Sequence, residues 1–134
     1  MSRFTKHYTL EEARALLPQV RLWLKRLLQC RTELQKQEKC VKTLMKGGTD
    51  TGGDIVNDWV RTLGDVREGL YEFYHREIQI KDLDRGLIDF PALLGGKEVF
   101  LCWEKREADI EFWHEIDAGY AGRERIEDSG AEFG

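Results

Sequence analysis

The sequence predicts an α+β protein that is mostly helical: a long antiparallel helical hairpin carrying a small C-terminal β element of two or three strands. Three observations predict it. Apolar residues recur at three- and four-residue spacing from Leu10 to Met45, the period of a helix with one buried face. The same period returns from Trp59 to Ile80, after the glycine-rich break "GGTDTGGD". Beyond Gly86 the pattern changes to short β-branched and aromatic runs, "GLIDF" and "KEVFLCW", punctuated by Pro91 and Gly95-Gly96.

The first helix is expected over residues 9–46. Thr9 stands three residues before Glu12, the spacing of a capping box, in which each side chain satisfies the other's backbone N–H. Leu10, Ala13, Leu17, Val20, Leu24, Leu27, Arg31, Leu34, Glu38, Val41 and Met45 form a coiled-coil-like seam, widened by Leu16, Trp23, Cys30 and Leu44. Pro18 lies inside this pattern. It has no N–H and its ring crowds the residue-14 carbonyl, so a kink is expected there.

Opposite the seam stand Arg14, Arg21, Lys25, Lys36, Lys39 and Lys46. Residues 1–46 carry 11 Lys/Arg against 4 Asp/Glu, although the whole chain has a net charge of −4. The stripe reads either as a solvated face or as a basic surface for an acidic partner. Weak nucleic-acid association would use this face, but overall negative charge and the lack of interleaved aromatics argue against it.

Residues 47–54 read as a turn. Gly47 and Gly52 have the separation of a phosphate loop, but Gly53 and Asp54 stand where lysine and a hydroxyl residue are needed. Asp54 suits a cap for the second helix, expected over residues 55–82 with Trp59, Leu63, Val66, Leu70, Phe73 and Ile80 in its seam. Glu77 falls in that seam, where burial would raise its pKa or pair it with Arg26 or Arg31. Two seams this wide leave apolar surface for the C-terminal region and a second copy to cover, which predicts a homodimer.

Residues 83–126 read as the β and irregular region, and residues 127–134 as a frayed tail. "PALLGG" joins the two arms of a hairpin. "EADIEFWHEID" fits a third extended segment through Ile110, Phe112 and His114, or one helical turn through Ile110 and Trp113. Trp103, Trp113, Phe90 and Leu101 are the expected contacts to the helices, because so small a sheet is not stable alone.

The pattern Lys81-Asp82, Gly86-Leu87, Asp89-Phe90-Pro91-Ala92, Leu101-Cys102-Trp103, Glu107, Trp113-His114-Glu115 and Ala121-Gly122-Arg123, together with the opening "YTLEEARALLPQV", resembles an uncharacterised bacterial family. It is known as domain of unknown function number 2203. The resemblance covers nearly the whole chain and implies no activity. Arg106 departs from it, standing where a glycine is expected.

His114 is the most interesting ionisable residue, since an imidazole titrates near neutrality and serves proton transfer or metal ligation. With Asp89, Glu111 and Arg123 it forms the candidate catalytic set. Asp82, Asp84, Asp89 and His114 form the candidate divalent-metal set, although the acids do not keep calcium-loop spacing. The Glu-x-x-His pairs Glu72/His75 and Glu111/His114 have di-metal bundle spacing, which is short and common. Arg123 fits an anion or a local carboxylate such as Asp89 or Glu115. Cys102, between Leu101 and Trp103, reads as an inert core thiol.

Cys30, Cys40 and Cys102 are odd in number and never closely paired, which suits reduced thiols in the cytoplasm. The start lacks signal-peptide features, and no apolar run is long enough to span a membrane. The leading expectation is a small cytoplasmic homodimeric interaction module. The alternative is a small-ligand or divalent-metal-dependent enzyme around His114, Asp89, Glu111 and Arg123.

Overall fold

Thr9 and Glu12 close the expected capping box: Thr9 N donates to Glu12 Oε1 at 2.9 Å and Glu12 N to Thr9 Oγ1 at 3.0 Å. From this start α1 (Leu10–Lys46) runs through Pro18 as one helix. The computed structural model describes residues 2–47, 53–129 and 133. The chain divides into two units, Met1–Leu22 with Phe73–Gly134, and Trp23–Glu72. Among the described residues no helix is long and apolar enough to cross a membrane.

The second unit is built from the remainder of α1 and most of α2 (Gly53–Tyr74). Asp54 therefore lies in the first turn of α2 rather than capping it, and most of the glycine-rich turn lies outside the described residues. Leu24, Leu27 and Val41 are buried as expected. On α2 the buried arc is displaced: Leu63 and Leu70 are exposed, Thr62 is buried, and a Cβ at Gly69 would come within 2.7 Å of Leu27 Cδ2. Each helical step rotates the side chain by about 100°, so choosing the larger apolar residues over their neighbours misplaces the seam. Small residues stand at the close approach instead.

In the first unit α2 stops at Tyr74, well before the expected residue 82. Ile78 N donates to Phe73 O at 3.1 Å, Glu77 N donates to Tyr74 O at 3.0 Å, and Glu77 has φ 60°. This is the Schellman ending, with a glutamate at the left-handed position that glycine usually takes. Glu77 is thus a helix terminator and not a seam residue. Ile80, which continued the apolar period, belongs to the strand β1 (Gln79–Asp82).

The sheet is larger than expected. β1, β2 (Leu87–Leu94), β3 (Lys97–Glu104), β4 (Phe112–Glu115) and β5 (Glu124–Arg125) form one antiparallel sheet in chain order. The two extra strands carry no strand signal in the sequence, because β1 continues a helical period and β5 is two residues long. Gly95 and Gly96, at φ 57° and 83°, make the two-residue turn with both residues left-handed that matches strand twist. Pro91 is tolerated inside β2. Its carbonyl accepts Tyr8 N–H at 2.7 Å, so its missing donor faces that same edge, beyond the last β1 pairing at Asp89.

Alternation along the strands divides the side chains between two faces. Ile88, Phe90, Leu101 and Trp103 share one, and all four are buried. Tyr8 meets Phe90 edge-on at 5.6 Å. The Arg21 guanidinium lies 4.8 Å from the Trp103 ring and donates to the carbonyls of Lys105, Glu107 and Ala108. Arg14 donates twice to Ile110 O, at 2.7 and 3.2 Å. Two members of the expected basic stripe therefore secure the loop between β3 and β4. Phe133, within the expected frayed tail, bridges Leu94 and is buried against Trp113.

Candidate metal centre

The opposite face of the sheet carries the site. The Gly95-Gly96 turn pairs Leu94 with Lys97, and counting outward along the hairpin sets Asp89 directly across from Cys102. On the other side of β3, Cys102 faces Phe112 and Phe100 faces His114. Three neighbouring strands thus project Asp89, Cys102 and His114 from one face. All three are buried, and one ligand atom from each lies within 4.8 Å of the others.

His114 is oriented at both ring nitrogens. Its Nδ1 lies 2.7 Å from the Glu115 carbonyl oxygen; a carbonyl only accepts, so Nδ1 carries hydrogen. Its Nε2 points at Asp89 Oδ2, 3.0 Å away. The other carboxylate oxygen, Asp89 Oδ1, is buried with no hydrogen-bond partner among the described residues. Burial alone would lower the His114 pKa, but the Asp89 carboxylate and the Glu115 carbonyl outweigh it and raise the imidazole above its ordinary value. Burial, reinforced by the Asp89 charge, pushes the Cys102 thiol far up. Protonated, Cys102 is not a free nucleophile.

Of the candidate catalytic set, the fold brings together His114 and Asp89. Glu111 is exposed, and its backbone carbonyl accepts Ile126 N–H at 3.0 Å. Arg123 pairs with Glu107 through Nη2, at 2.6 and 2.7 Å from the two carboxylate oxygens, and lies over Phe112 at 3.9 Å and Tyr120 at 4.7 Å. The carboxylate that Arg123 takes is thus Glu107 rather than Asp89 or Glu115; Glu115 pairs with Lys97 at 2.7 Å. Of the candidate metal set, Asp82 accepts Arg85 N–H at 3.1 Å to shape the turn after β1, and Asp84 is exposed. The third member of the cluster is Cys102, read from sequence as an inert core thiol.

A carboxylate, a thiol and an imidazole are donors for a metal ion. Metal–ligand lengths of about 2.0–2.3 Å place tetrahedral donors roughly 3.3–3.8 Å apart; here the three donor atoms lie within 4.8 Å of one another, with His114 Nε2 and Asp89 Oδ2 at 3.0 Å. The Nδ1–H bond to the Glu115 carbonyl is the outer contact that holds a metal-binding histidine in the tautomer whose Nε2 lone pair is available.

The family model described as "Uncharacterized conserved protein (DUF2203)" matches residues 6–126, and the chain belongs to that family. No curated protein and no solved structure matches the chain.

Proposed function

We propose that the protein works through one divalent metal ion, of the zinc class, held by Asp89 carboxylate, Cys102 thiolate and His114 Nε2. The observation that carries this reading is the convergence of three different buried donors from three strands. Charge supports it. A divalent cation with one carboxylate, one thiolate and a neutral imidazole sums to zero, which is what a site shielded from water requires. Thiolate with imidazole favours zinc over the hard cations magnesium and calcium, which prefer oxygen ligands. Three protein donors leave a fourth tetrahedral position for water or a substrate atom, the arrangement found in catalytic zinc sites.

The test is elemental analysis with native mass spectrometry on protein purified without chelator. One zinc per chain is expected, lost in Cys102→Ala and in His114→Ala variants that retain their circular dichroism. Metal-free wild-type protein that also fails to take up zinc on titration would sink the reading.

A second reading is self-association through α2. Val60, Leu63, Leu70 and Tyr71 are exposed on that helix, more large apolar surface than one short stretch ordinarily leaves in water. Sedimentation of wild type against Leu63→Lys/Leu70→Lys tests it. A monomeric wild type removes it, and a dimer unchanged by the lysines moves the contact elsewhere.

A further inference from the structure

We propose that the segment Arg3–His7 is a removable cover over the Asp89–Cys102–His114 centre, and that its detachment from Glu77 and Glu98 controls metal entry and exit. The proposal rests on the metal reading above and adds regulation to it.

The cover is held in an unusual way. Arg3 N and Phe4 N both donate to the Glu98 carboxylate, at 2.7 and 3.1 Å, and His7 Nε2 lies 2.7 Å from Glu98 Oε2. Thr5 N and Lys6 N donate to Glu77 Oε2 at 2.9 and 2.7 Å, and Thr5 Oγ1 donates to Oε1 at 3.1 Å. Four successive backbone donors are thus satisfied by two side chains and none by a strand ladder. Glu77 can serve because the helix ending places it at the left-handed position after α2, and Glu98 because β3 begins beside it.

The segment lies on the site's own face of the sheet. The Phe4 ring meets Phe100 edge-on at 5.5 Å, and Phe100 meets His114 at 5.6 Å, the two being cross-strand partners. Lifting Phe4 would uncover Phe100, the ring that stands beside the imidazole. The other covers are fixed more firmly. Lys81, over the same Phe100 ring at 4.9 Å, belongs to a paired strand, and Arg123 is locked to Glu107 through both carboxylate oxygens. A segment without ladder bonds opens at lower free energy than a paired strand. Three ligands this buried require some such opening before a hydrated ion can reach them.

The experiment uses the full chain with Cys30→Ser and Cys40→Ser, so that Cys102 is its one thiol. Two variants are compared with this parent: Glu77→Gln/Glu98→Gln, and Phe4→Ala, which leaves both carboxylates in place. Two rates are measured on protein with unchanged circular dichroism: alkylation of Cys102 by iodoacetamide without metal, and uptake of cobalt(II), followed by its thiolate absorption. Both should rise roughly tenfold or more in each variant, while equilibrium cobalt affinity changes far less. Unchanged alkylation and uptake rates would overturn the cover. Faster alkylation with no cobalt bound by any form would keep the cover and overturn the metal reading. Cobalt binding at an unchanged rate would keep the metal reading and overturn the cover.

Discussion

His114 Nε2 lies 3.0 Å from Asp89 Oδ2, buried, although 25 residues separate the two in the chain. Without metal, a carboxylate, an imidazolium and a neutral thiol sum to zero charge. With metal, a carboxylate, a neutral imidazole, a thiolate and a divalent cation sum to zero as well. The site can therefore exchange one divalent ion for two protons and remain neutral in both states, as burial demands.

Zinc binding should accordingly release about two protons per ion at a pH below the raised His114 pKa, one from Nε2 and one from Cys102. Titration calorimetry in buffers of different ionisation enthalpy counts them. Release of one proton or none would exclude Cys102 as a thiolate ligand.

The metal-free protein should lose stability as pH rises. The folded-state pKa of His114 is raised, so its contribution is complete below the unfolded value near 6.5 and disappears as pH passes through the raised value. Asp89→Ala should cost about 3–5 kcal/mol in the acid part of this range, the usual effect of leaving one member of a buried pair alone. Urea unfolding from pH 5 to 9, with chelator present, measures both. A pH dependence identical in wild type and variant would show that the pair does not titrate on unfolding.

Acid should loosen the cover before it unfolds the sheet. At Glu77 the backbone bond from Lys6 leads in depressing the carboxyl pKa; at Glu98 burial opposes, but the bonds from Arg3, His7 and Phe4 prevail. Both contributions are present above the ordinary carboxylate value of 4.5 and are lost as pH falls below it through the depressed values. Hydrogen-exchange protection of residues 3–7, corrected for intrinsic rate, should fall in that window. In Glu77→Gln/Glu98→Gln it should be low throughout.

Thr9→Ala should destabilise the start of α1 by about 1 kcal/mol, the common effect of removing an N-terminal cap. Glu12 would then lose the Thr9 side-chain contribution to its lowered pKa, while the backbone N–H of residue 9, the larger cause, stays in place, so its titration, followed by carboxyl carbon shifts, should move up only in part. A Thr9→Ala variant as stable as wild type would mean that the capping box is not populated in solution.

Much of the architecture was legible in the chain. Local rules suffice where neighbours in sequence are neighbours in space: the capping box at Thr9 and Glu12, the buried stripe from Ala13 to Leu27, and a hairpin about the paired glycines. The same hairpin also fixes part of the site. A two-residue turn at Gly95-Gly96 fixes the register, and counting outward places Asp89 opposite Cys102. The chain alone therefore carries that pairing, whereas the apolar neighbours of Cys102 point only to a core thiol.

What the chain alone determined is helix, turn and hairpin, because these follow from spacing, capping and glycine's access to left-handed backbone. The tertiary structure decided the rest. The end of α2 at Tyr74 depends on Glu77 adopting positive φ while its carboxylate holds Thr5 and Lys6, a gain visible only once that segment is in place. His114 reaches Asp89 because β4 returns beside β3 after a loop anchored by Arg14 and Arg21, whose charges resembled a solvated stripe. Periodicity reports which face of an element is apolar. It does not report which strand lies beside which, and a site assembled from three strands exists only after that choice is made.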